Sequence, residues 1–291
     1  MSFQITSYST ALFSTWTFVE ELGLLIDAGD GVSAALLQKA RKIKHAFITH
    51  PDRDHLTGLL QLLQLNSWHG YPKIYYPKDT GSFPAFEAFH RKFNPHVRAT
   101  DWYGIEDGSA VEIKPNIWVE AQRNEHIAVP QGVNKSLSYK VFTSKRKLKP
   151  EFSGLSNAEL QRLAIKEGRE ALTEEFRRNV ISFSGDTPVD DYDKWDQSEI
   201  LIHEATFLQE EPARSNKTYN QHSLLEEVIQ MVSEIEVGKL ILNHFSSRYK
   251  KEEIDTAVQK FCKKYRLQIP VYLIYPGEIH RDVLGQEPVN A

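Results

Sequence analysis

The sequence predicts an α/β protein with mixed β-sheets. Short apolar runs typical of strands alternate with amphipathic helical patterns, and the alternation occurs in two successive sets. Several predicted strands end in histidine, aspartate or glutamate, at the position where α/β proteins place their functional sites. The 291 residues, 41% hydrophobic and 25% charged, suit a soluble globular protein of one large domain or two small ones.

The bulk properties exclude several classes of protein. The longest apolar runs are too short for a membrane span, and the N-terminus, Met1-Ser2-Phe3-Gln4, lacks the pattern of a secretion signal. Cys262 is the only cysteine, so a disulfide within the chain is impossible and a thiolate metal site is a poor expectation. These features predict a cytoplasmic protein with no membrane partner. The net charge of −4 does not indicate a nucleic-acid binder, but it is compatible with a local basic patch.

The first part of the chain predicts three strands followed by a helix. Residues 3–8 and 15–19 have strand-like patterns, and a third strand, 22–26, ends in a glycine-containing turn that begins at Asp27. Asp27 fits two roles equally well, since its carboxylate could orient a ligand from behind a site or cap the helix predicted over 32–42. Farther along we expect a strand at 74–77, a helix with an aromatic stripe at 83–93, and strands between 100 and 119.

The second part of the chain continues the alternation of strands and helices. We expect strands at 136–141, 180–183, 200–207, 239–243 and 271–275, and helices at 224–235 and 252–266. Residues 144–179 differ from their surroundings, because they contain the basic run Lys145–Lys149 and stay highly charged. They predict an inserted arm-like segment, which is either a solvated charged face or an arm that contacts phosphates.

The most informative stretch is Thr49-His50-Pro51-Asp52-Arg53-Asp54-His55. It places two imidazoles and two carboxylates within six residues, between an apolar strand at 45–48 and a predicted helix that begins near Leu56. A solvated loop would rarely have histidine at both outer positions and then lead directly into an apolar helix. Histidine and carboxylate are ligands that zinc and similar metals accept at neutral pH, so the stretch predicts a metal site.

Polar residues also stand at four further predicted strand ends. They are His126, Asp186, the pair His203-Glu204, and His244. A single histidine such as His126 is more often structural than a metal ligand, so its interpretation as a ligand depends on the residues at the other strand ends. If these strands lie in packed sheets, their ends converge on one edge, and such a constellation is far less probable by accident than any one member.

These motifs resemble those of the metallo-β-lactamase superfamily and, within it, the ribonuclease Z branch. The superfamily's second motif, usually His-x-His-x-Asp-His, is matched by the segment from His50 to His55. His126, the Ser-Gly-Asp-Thr around Asp186, and the stretch that begins at His244 are similar to its later motifs. The stretch His203-Glu204-Ala205-Thr206-Phe207 and the tripeptide Gln221-His222-Ser223 resemble elements specific to ribonuclease Z.

The resemblance implies a single metallo-β-lactamase-type domain over residues 1–291, with 144–179 as an inserted charged segment. The implied fold is a four-layer αββα sandwich with two divalent metal ions, zinc in the first place and manganese as the alternative. By residue-wise correspondence, one ion would take His50, Asp52 and His126, the other would take Asp54, His55 and His244, and Asp186 would bridge them.

The implied activity is hydrolysis of a phosphodiester, either at the 3′ end of tRNA or in a small diester such as a cyclic nucleotide. Two metals about 3.5–4 Å apart can activate a water and polarise a phosphodiester. Asp54 would also orient or deprotonate the water, and His222, positioned by Glu204, would protonate the leaving oxygen. Without that role, His222 is an ordinary histidine at a helix N-terminus. Arg248 either contacts phosphate or braces its loop.

Two other functions stay open. A different hydrolase of the superfamily would act on a lactone, thioester or sulfate ester, and the opening of a lactone depends less on a proton donor such as His222. A protein without catalysis would use the metal only to stabilise a binding module. We also expect a homodimer, since members of the family often pair.

The chain departs from the family pattern in three places. Asp52 replaces the family's middle histidine, which adds negative charge and favours a harder metal such as manganese or a site with one ion. Residues 144–179 look shorter than the family's tRNA-gripping arm and lack its Gly-Pro turn, and the N-terminal strand lacks the usual Gly-Thr start. The last two differences count against a pre-tRNA substrate and leave phosphodiester hydrolysis intact.

Overall fold

The first of two β-sheets is formed by the N-terminal part of the chain. The computed structural model describes residues 2–66, 72–93, 100–210 and 221–291. The strands lie side by side in chain order: β1 (Ile5–Thr10), β2 (Ser14–Val19), β3 (Leu24–Ile26), β4 (His45–Phe47), β5 (Lys73–Pro77) and β6 (Trp102–Ile105). The pairs β1/β2 and β2/β3 are antiparallel, whereas β3 to β6 are parallel.

The second sheet has a similar arrangement. Its strands also follow chain order: β7 (Ala110–Lys114), β8 (Ile117–Arg123), β9 (Leu137–Leu148), β10 (Thr173–Phe183), β11 (Ile200–Glu204), β12 (Leu240–Asn243) and β13 (Val271–Leu273). Strands β7 to β10 are antiparallel and β10 to β13 are parallel. Because β9 is antiparallel to both of its neighbours, β8 runs in the same direction as β10 to β13.

The α-helices connect these strands. They are α1 (Val32–Leu36), α2 (Arg53–Leu56), α3 (Leu59–Asn66), α4 (Ser82–His90), α5 (Asn157–Glu167), α6 (Arg169–Leu172), α7 (Leu225–Glu234) and α8 (Lys251–Lys264). None of the helices within the described residues combines the length and the apolar character that crossing a membrane requires.

Alternating side chains give each sheet two buried faces. In β3, Leu24 and Ile26 lie in the core between the sheets, whereas Leu25 packs with the side chains of α1, α3 and α4. In β12, Ile241 lies between the sheets, whereas its neighbours Leu240 and Leu242 pack under α7 and α8. Since successive residues of a strand point to opposite faces, the layers are helix, sheet, sheet and helix. The predicted four-layer αββα sandwich is confirmed.

The helix predicted over 32–42 is wrong in its second half. The α-helix ends at Leu36, and Leu37–Lys42 forms 3-10 turns. Leu37 has a φ of 51°, a positive value through which a right-handed α-helix cannot continue. The spacing of apolar residues is nearly the same in both kinds of helix, so periodicity alone does not locate the change.

Residues 144–179 lie on an antiparallel ribbon that ends in two helices. Residues 143–148 of β9 pair with 173–178 of β10, and the intervening chain forms α5 and α6. A capping box begins α5, in which Ser156 and Glu159 each accept a hydrogen bond from the other's backbone N–H. The strand predictions at 136–141 and 180–183 were too short, because a mostly exposed ribbon has no core face and therefore no apolar alternation.

Candidate metal centre

The predicted strand ends meet at one edge of the sandwich. The donor residues follow β4, β8, β10 and β12 in the chain, and together they are His50, Asp52, Asp54, His55, His126, Asp186 and His244. Their donor atoms form overlapping groups, within each of which all atoms lie within 4.8 Å of one another. The groups include His50–Asp52–His126, Asp54–His55–His244 and His50–His55–Asp186. The structure thus brings together all the residues predicted as metal ligands.

Close backbone packing fixes the loops around this centre. A Cβ on Gly58 would lie 2.1 Å from the carbonyl oxygen of Gly29, and one on Gly29 would lie 2.3 Å from the carbonyl oxygen of Asp54. Only glycine therefore lets the turn after β3 approach the chain between α2 and α3. Asp27 and His244 have positive φ angles of 56° and 59°, uncommon conformations that cluster at functional sites.

Four histidines present a ring nitrogen to the centre. The Nε2 atoms of His50, His55, His126 and His244 are buried and have no hydrogen-bond partner among the described residues. A buried polar atom without a partner costs free energy, so four of them in one place indicate a ligand from outside the protein chain.

On the opposite side of two of these rings, Nδ1 faces a group that can only accept. The Nδ1–H of His55 donates to Oδ2 of Asp27 at 2.8 Å, and that of His126 donates to the carbonyl oxygen of Gln221 at 2.8 Å. These acceptors place the proton on Nδ1. The Nε2 lone pair of each ring is therefore directed toward the centre, as metal binding requires.

Asp27 orders one half of the centre from behind. It accepts hydrogen bonds from the backbone N–H of Thr49 at 2.8 Å and from Thr49 Oγ1 at 2.9 Å, in addition to the bond from His55. Because the Thr49 hydroxyl donates to Asp27, its oxygen accepts from Nδ1 of His50, 2.9 Å away. The alternative role of Asp27, capping of α1, is not observed, since α1 begins after Gly31 without a side-chain cap.

Glu204 orders the other half in the same way. Thr206 Oγ1 donates to Oε2 of Glu204 at 2.6 Å and so accepts from Nδ1 of His244 at 2.9 Å. The other carboxylate oxygen, Oε1, accepts from Nδ1 of His222 at 3.0 Å and from the backbone N–H of Thr187 at 2.9 Å. One buried carboxylate thus connects a predicted ligand to the predicted proton donor.

Asp186 lies between the two groups of histidines. Its Oδ2 is 3.3 Å from Nε2 of both His55 and His244, and 3.7 Å from Nε2 of His50. These separations exceed hydrogen-bond lengths between well-aligned partners and leave room for a cation among the atoms.

The other two carboxylates, Asp52 and Asp54, lie near different pairs of histidines. Oδ2 of Asp54 is 3.5 Å from Nε2 of His55, and it accepts a hydrogen bond from the backbone N–H of Leu12 at 3.1 Å. Oδ2 of Asp52 is 3.7 Å from Nε2 of His50 and 3.9 Å from Nε2 of His126. Aspartate at position 52 therefore reaches the centre in spite of its short side chain.

Electrostatics keep this cluster attractive to cations. Burial alone would raise the pKa of Asp54, but the neighbouring imidazoles of His244 and His55 outweigh burial and hold that pKa well below its usual range. Burial likewise opposes ionisation of Asp186, and the same two histidines hold its pKa low. For His55, burial lowers the pKa, but Asp186 and Asp27 outweigh burial and raise it well above its usual value. A metal ion would take the place of that proton.

The remaining residues singled out in the sequence have different locations. The His222 ring lies 4.9 Å from the His126 ring and 5.5 Å from the His244 ring, measured between centroids. Arg248 is exposed on the loop after β12, where its Nε donates to Ser246 Oγ at 3.1 Å. His203 lies edge-on to Trp195, with ring centroids 5.5 Å apart, and does not join the centre.

Three groups that hold the histidines in place are not among the residues predicted from the sequence. They are the hydroxyls of Thr49 and Thr206 and the backbone carbonyl of Gln221. Both threonines adjoin residues that the motifs identified, so their position was an available signal. A backbone carbonyl has no such signal, because any residue type supplies one.

The donor set fits a pair of divalent cations. Neutral imidazole nitrogen and carboxylate oxygen are donors that zinc and manganese accept. Each outer group combines two histidines with one aspartate, and Asp186 lies between the groups. Hydrogen bonds behind the rings set the tautomers that a metal needs.

Comparisons with known proteins agree with this description. A family model described as Metallo-beta-lactamase superfamily matches residues 9–129. The chain is 26% identical over 276 residues to the chloroplastic tRNase Z of Arabidopsis thaliana, across 92% of this chain and 74% of that protein. It is 26% identical over 290 residues to the ribonuclease Z of Methanocaldococcus jannaschii, across 90% of this chain and 89% of that protein.

A solved structure points to the same fold. Human tRNase Z, short form, superposes with a TM-score of 0.58 at 18% identity, across 96% of this chain and 99% of that chain. The chain therefore contains a metallo-β-lactamase domain, is similar along most of its length to proteins named ribonuclease Z or tRNase Z, and has the fold and candidate donor residues of a metal-dependent hydrolase.

Proposed function

We propose that this protein is a phosphodiester hydrolase of the ribonuclease Z type that works with two divalent metal ions. The observation that supports it most is the convergence of four buried Nε2 atoms, which lack partners among the described residues, with three aspartates. Curated relatives named ribonuclease Z or tRNase Z extend over most of the chain, which favours a phosphodiester over other esters.

The proposed ligands divide into two sets. His50, Asp52 and His126 would hold one ion, Asp54, His55 and His244 would hold the other, and Asp186 would contact both. When bound, the ions would supply Lewis-acid polarisation of the phosphodiester and a nucleophilic water at neutral pH. Zinc is the first expectation, and the extra negative charge of Asp52 makes manganese the alternative.

Asp54 would have a second role as the group that orients the attacking water. Its carboxylate is held from one side by the backbone N–H of Leu12 and approached from the other by His55 and His244. These contacts fix the direction of the free lone pairs, and the low pKa of Asp54 keeps the group ionised as an acceptor.

His222 would donate the proton to the leaving oxygen. Its Nδ1 is hydrogen-bonded to Glu204, which leaves the ring oriented by a buried carboxylate in the manner of a general acid. Burial lowers the pKa of His222, but Glu204 outweighs burial and raises that pKa to about 9 before any metal binds. Two bound cations would lower it again toward neutrality by charge repulsion.

The substrate is proposed to be the 3′ region of a tRNA or a small diester. Arg248 is exposed on the loop that follows His244 and would contact a phosphate of either substrate. For tRNA, the ribbon at 144–179 would add Lys145, Lys147 and neighbouring cations as an electrostatic contact. We also propose that residues 1–291 act as one domain, that the protein pairs as a homodimer, and that it works in the cytoplasm.

Leaving groups of different basicity test this proposal. The assay would compare a p-nitrophenyl diester, whose leaving group departs without a proton, with an unprocessed tRNA, whose alkoxide leaving group needs one. His222→Ala should lower kcat on tRNA by about 10²–10³-fold and have a much smaller effect on the nitrophenyl diester. His90→Gln, at a buried histidine of α4, serves as the matched control.

Three outcomes would change the conclusion. Activity on small diesters but not on tRNA would indicate that the substrate is a small molecule. Turnover of lactones, thioesters or sulfate esters without turnover of any diester would identify the alternative hydrolase. If His222→Ala lowers kcat equally on tRNA and on the nitrophenyl diester, the proton-donor role of His222 is rejected and the proposal of phosphodiester hydrolysis stands.

A further inference from the structure

The tip of the β1–β2 hairpin is attached directly to the metal centre. Residues 11–13 connect the two strands, whose last pair is Thr10 with Ser14. The backbone N–H of Leu12 donates to Oδ2 of Asp54 at 3.1 Å, and that of Ala11 donates to the carbonyl oxygen of Phe245 at 3.3 Å. Since Phe245 follows the predicted ligand His244, the tip is held from both halves of the centre.

The residues at this tip are unusual for an exposed hairpin loop. Leu12 is 88% exposed and Phe13 is 63% exposed, although both are large and apolar. Leu12 also has a φ of 70°, for which hairpin loops normally use glycine or asparagine. Solvent favours a polar side chain at this position and the backbone favours glycine, yet neither occurs. Local rules of this kind are broken mainly at functional sites.

The position of the tip beside the metal centre restricts which part of a substrate can contact Leu12 and Phe13. A phosphodiester bound at the metal centre would lie beside Asp54, so a group flanking the scissile bond would come within reach of Leu12 and Phe13. The flat, apolar and uncharged part of a nucleotide is its base, and bases stack on exposed aromatic side chains with little sequence preference. A small alkyl substituent would not cover this surface.

We propose that Leu12 and Phe13 form a contact surface for the nucleobase that flanks the scissile phosphodiester, an inference that rests on the proposed function. Phe13 provides the stacking face and Leu12 the apolar edge. The backbone N–H of Leu12 keeps this surface in register with Asp54, so base contact and orientation of the attacking water depend on one loop.

The test uses two diesters with the same leaving group. They are the p-nitrophenyl ester of thymidine 5′-phosphate and methyl p-nitrophenyl phosphate, assayed with the metal-loaded enzyme. The preference is the ratio of kcat/KM for the thymidine ester to kcat/KM for the methyl ester. Phe13→Ser should lower this preference about tenfold, mainly through KM of the thymidine ester, as expected for loss of one base–aromatic contact. Phe13→Tyr should keep it.

Two further variants separate the side chains from the backbone. Leu12→Asn tolerates a positive φ and retains the backbone N–H, so it should lower the preference while keeping the hydrogen bond to Asp54. Leu37→Asn is the matched control, because Leu37 is also 70% exposed with a φ of 51° but lies at the end of α1. Melting temperatures confirm that each variant folds.

The results of these assays distinguish failure of the base contact from failure of the proposed function. If the wild-type enzyme hydrolyses both esters and Phe13→Ser keeps the wild-type preference, the base contact is wrong and the proposed function stands. If the metal-loaded wild-type enzyme hydrolyses neither ester, the proposed function fails and the base contact fails with it. If Leu37→Asn lowers the preference as much as Phe13→Ser does, the effect does not belong to the tip and the inference is rejected.

Discussion

Replacement of Asp27 by asparagine tests whether the metal centre depends on the hydrogen bonds behind it. Asp27 is buried, and its two oxygens accept from Thr49 and from Nδ1 of His55. Asparagine has nearly the same shape but only one accepting oxygen, because the other becomes an NH₂ donor. The substitution Asp27→Asn therefore changes hydrogen bonding with little change in packing.

The size of the effect follows from which side the NH₂ group faces. If it faces His55, Nδ1 must become an acceptor, and the ring proton moves to Nε2 and occupies the lone pair that a metal needs. If it faces Thr49, a buried backbone N–H loses its acceptor. Loss of such a hydrogen bond behind a metal ligand weakens metal binding about 10–100-fold, which corresponds to about 1.4–2.7 kcal/mol.

Zinc affinity, measured by competition with a chelator, is the appropriate assay because it needs no substrate. Asp30→Asn is the matched control, since Asp30 is an exposed carboxylate three residues farther along the same turn. The control should bind zinc with wild-type affinity. If Asp27→Asn binds zinc within twofold of wild type, Asp27 does not set the tautomer of His55 and the reasoning is wrong.

Three further predictions concern metal binding and pH. Zinc at 100 times its Kd should stabilise the metal-free protein by about 2.7 kcal/mol and raise Tm by roughly 5–10 °C in a thermal scan, and an unchanged Tm would contradict it. Asp52→His removes a negative charge beside His50 and should raise the preference for zinc over manganese in calorimetric titrations, whereas an unchanged preference would reject that role. Burial, with help from Lys73 and Lys44, lowers the pKa of His45 to about 4. Because the unfolded chain then binds the extra proton as pH falls, stability should decrease between pH 7 and pH 5. Over this pH range the free energy of unfolding of His45→Phe, measured by urea unfolding, should fall by about 1 kcal/mol less than that of the wild type, a value reduced for partial solvation of the His45 ring. Equal decreases in the two proteins would refute the assignment.

The convergence of the candidate donor residues could be predicted from the sequence because chemistry and spacing restrict these residues together. His50, Asp52, Asp54 and His55 lie within one short stretch, and a helix that begins at Arg53 brings Asp54 and His55 toward the same centre. The sandwich could also be predicted, since strands buried on both faces, such as Leu24–Ile26, have continuous apolar sequences.

The arrangement behind the donors could not be predicted in the same way. Asp27 follows a strand and precedes a helix, so its two roles have identical local sequences, and only the position of His55 in space decides between them. The break at Leu37 lies at a residue with a positive φ, which the spacing of apolar residues does not report. The length of the ribbon depends on pairing between β9 and β10, and its charged, exposed residues give no apolar signal.

We propose that seven side chains hold two divalent ions at one edge of the sandwich. A crystal of the zinc-loaded protein, measured on both sides of the zinc absorption edge, tests it most directly. We predict two anomalous peaks per chain, one beside His50, Asp52 and His126, the other beside Asp54, His55 and His244, with Asp186 in contact with both. A single peak, or peaks away from these residues, would contradict the account.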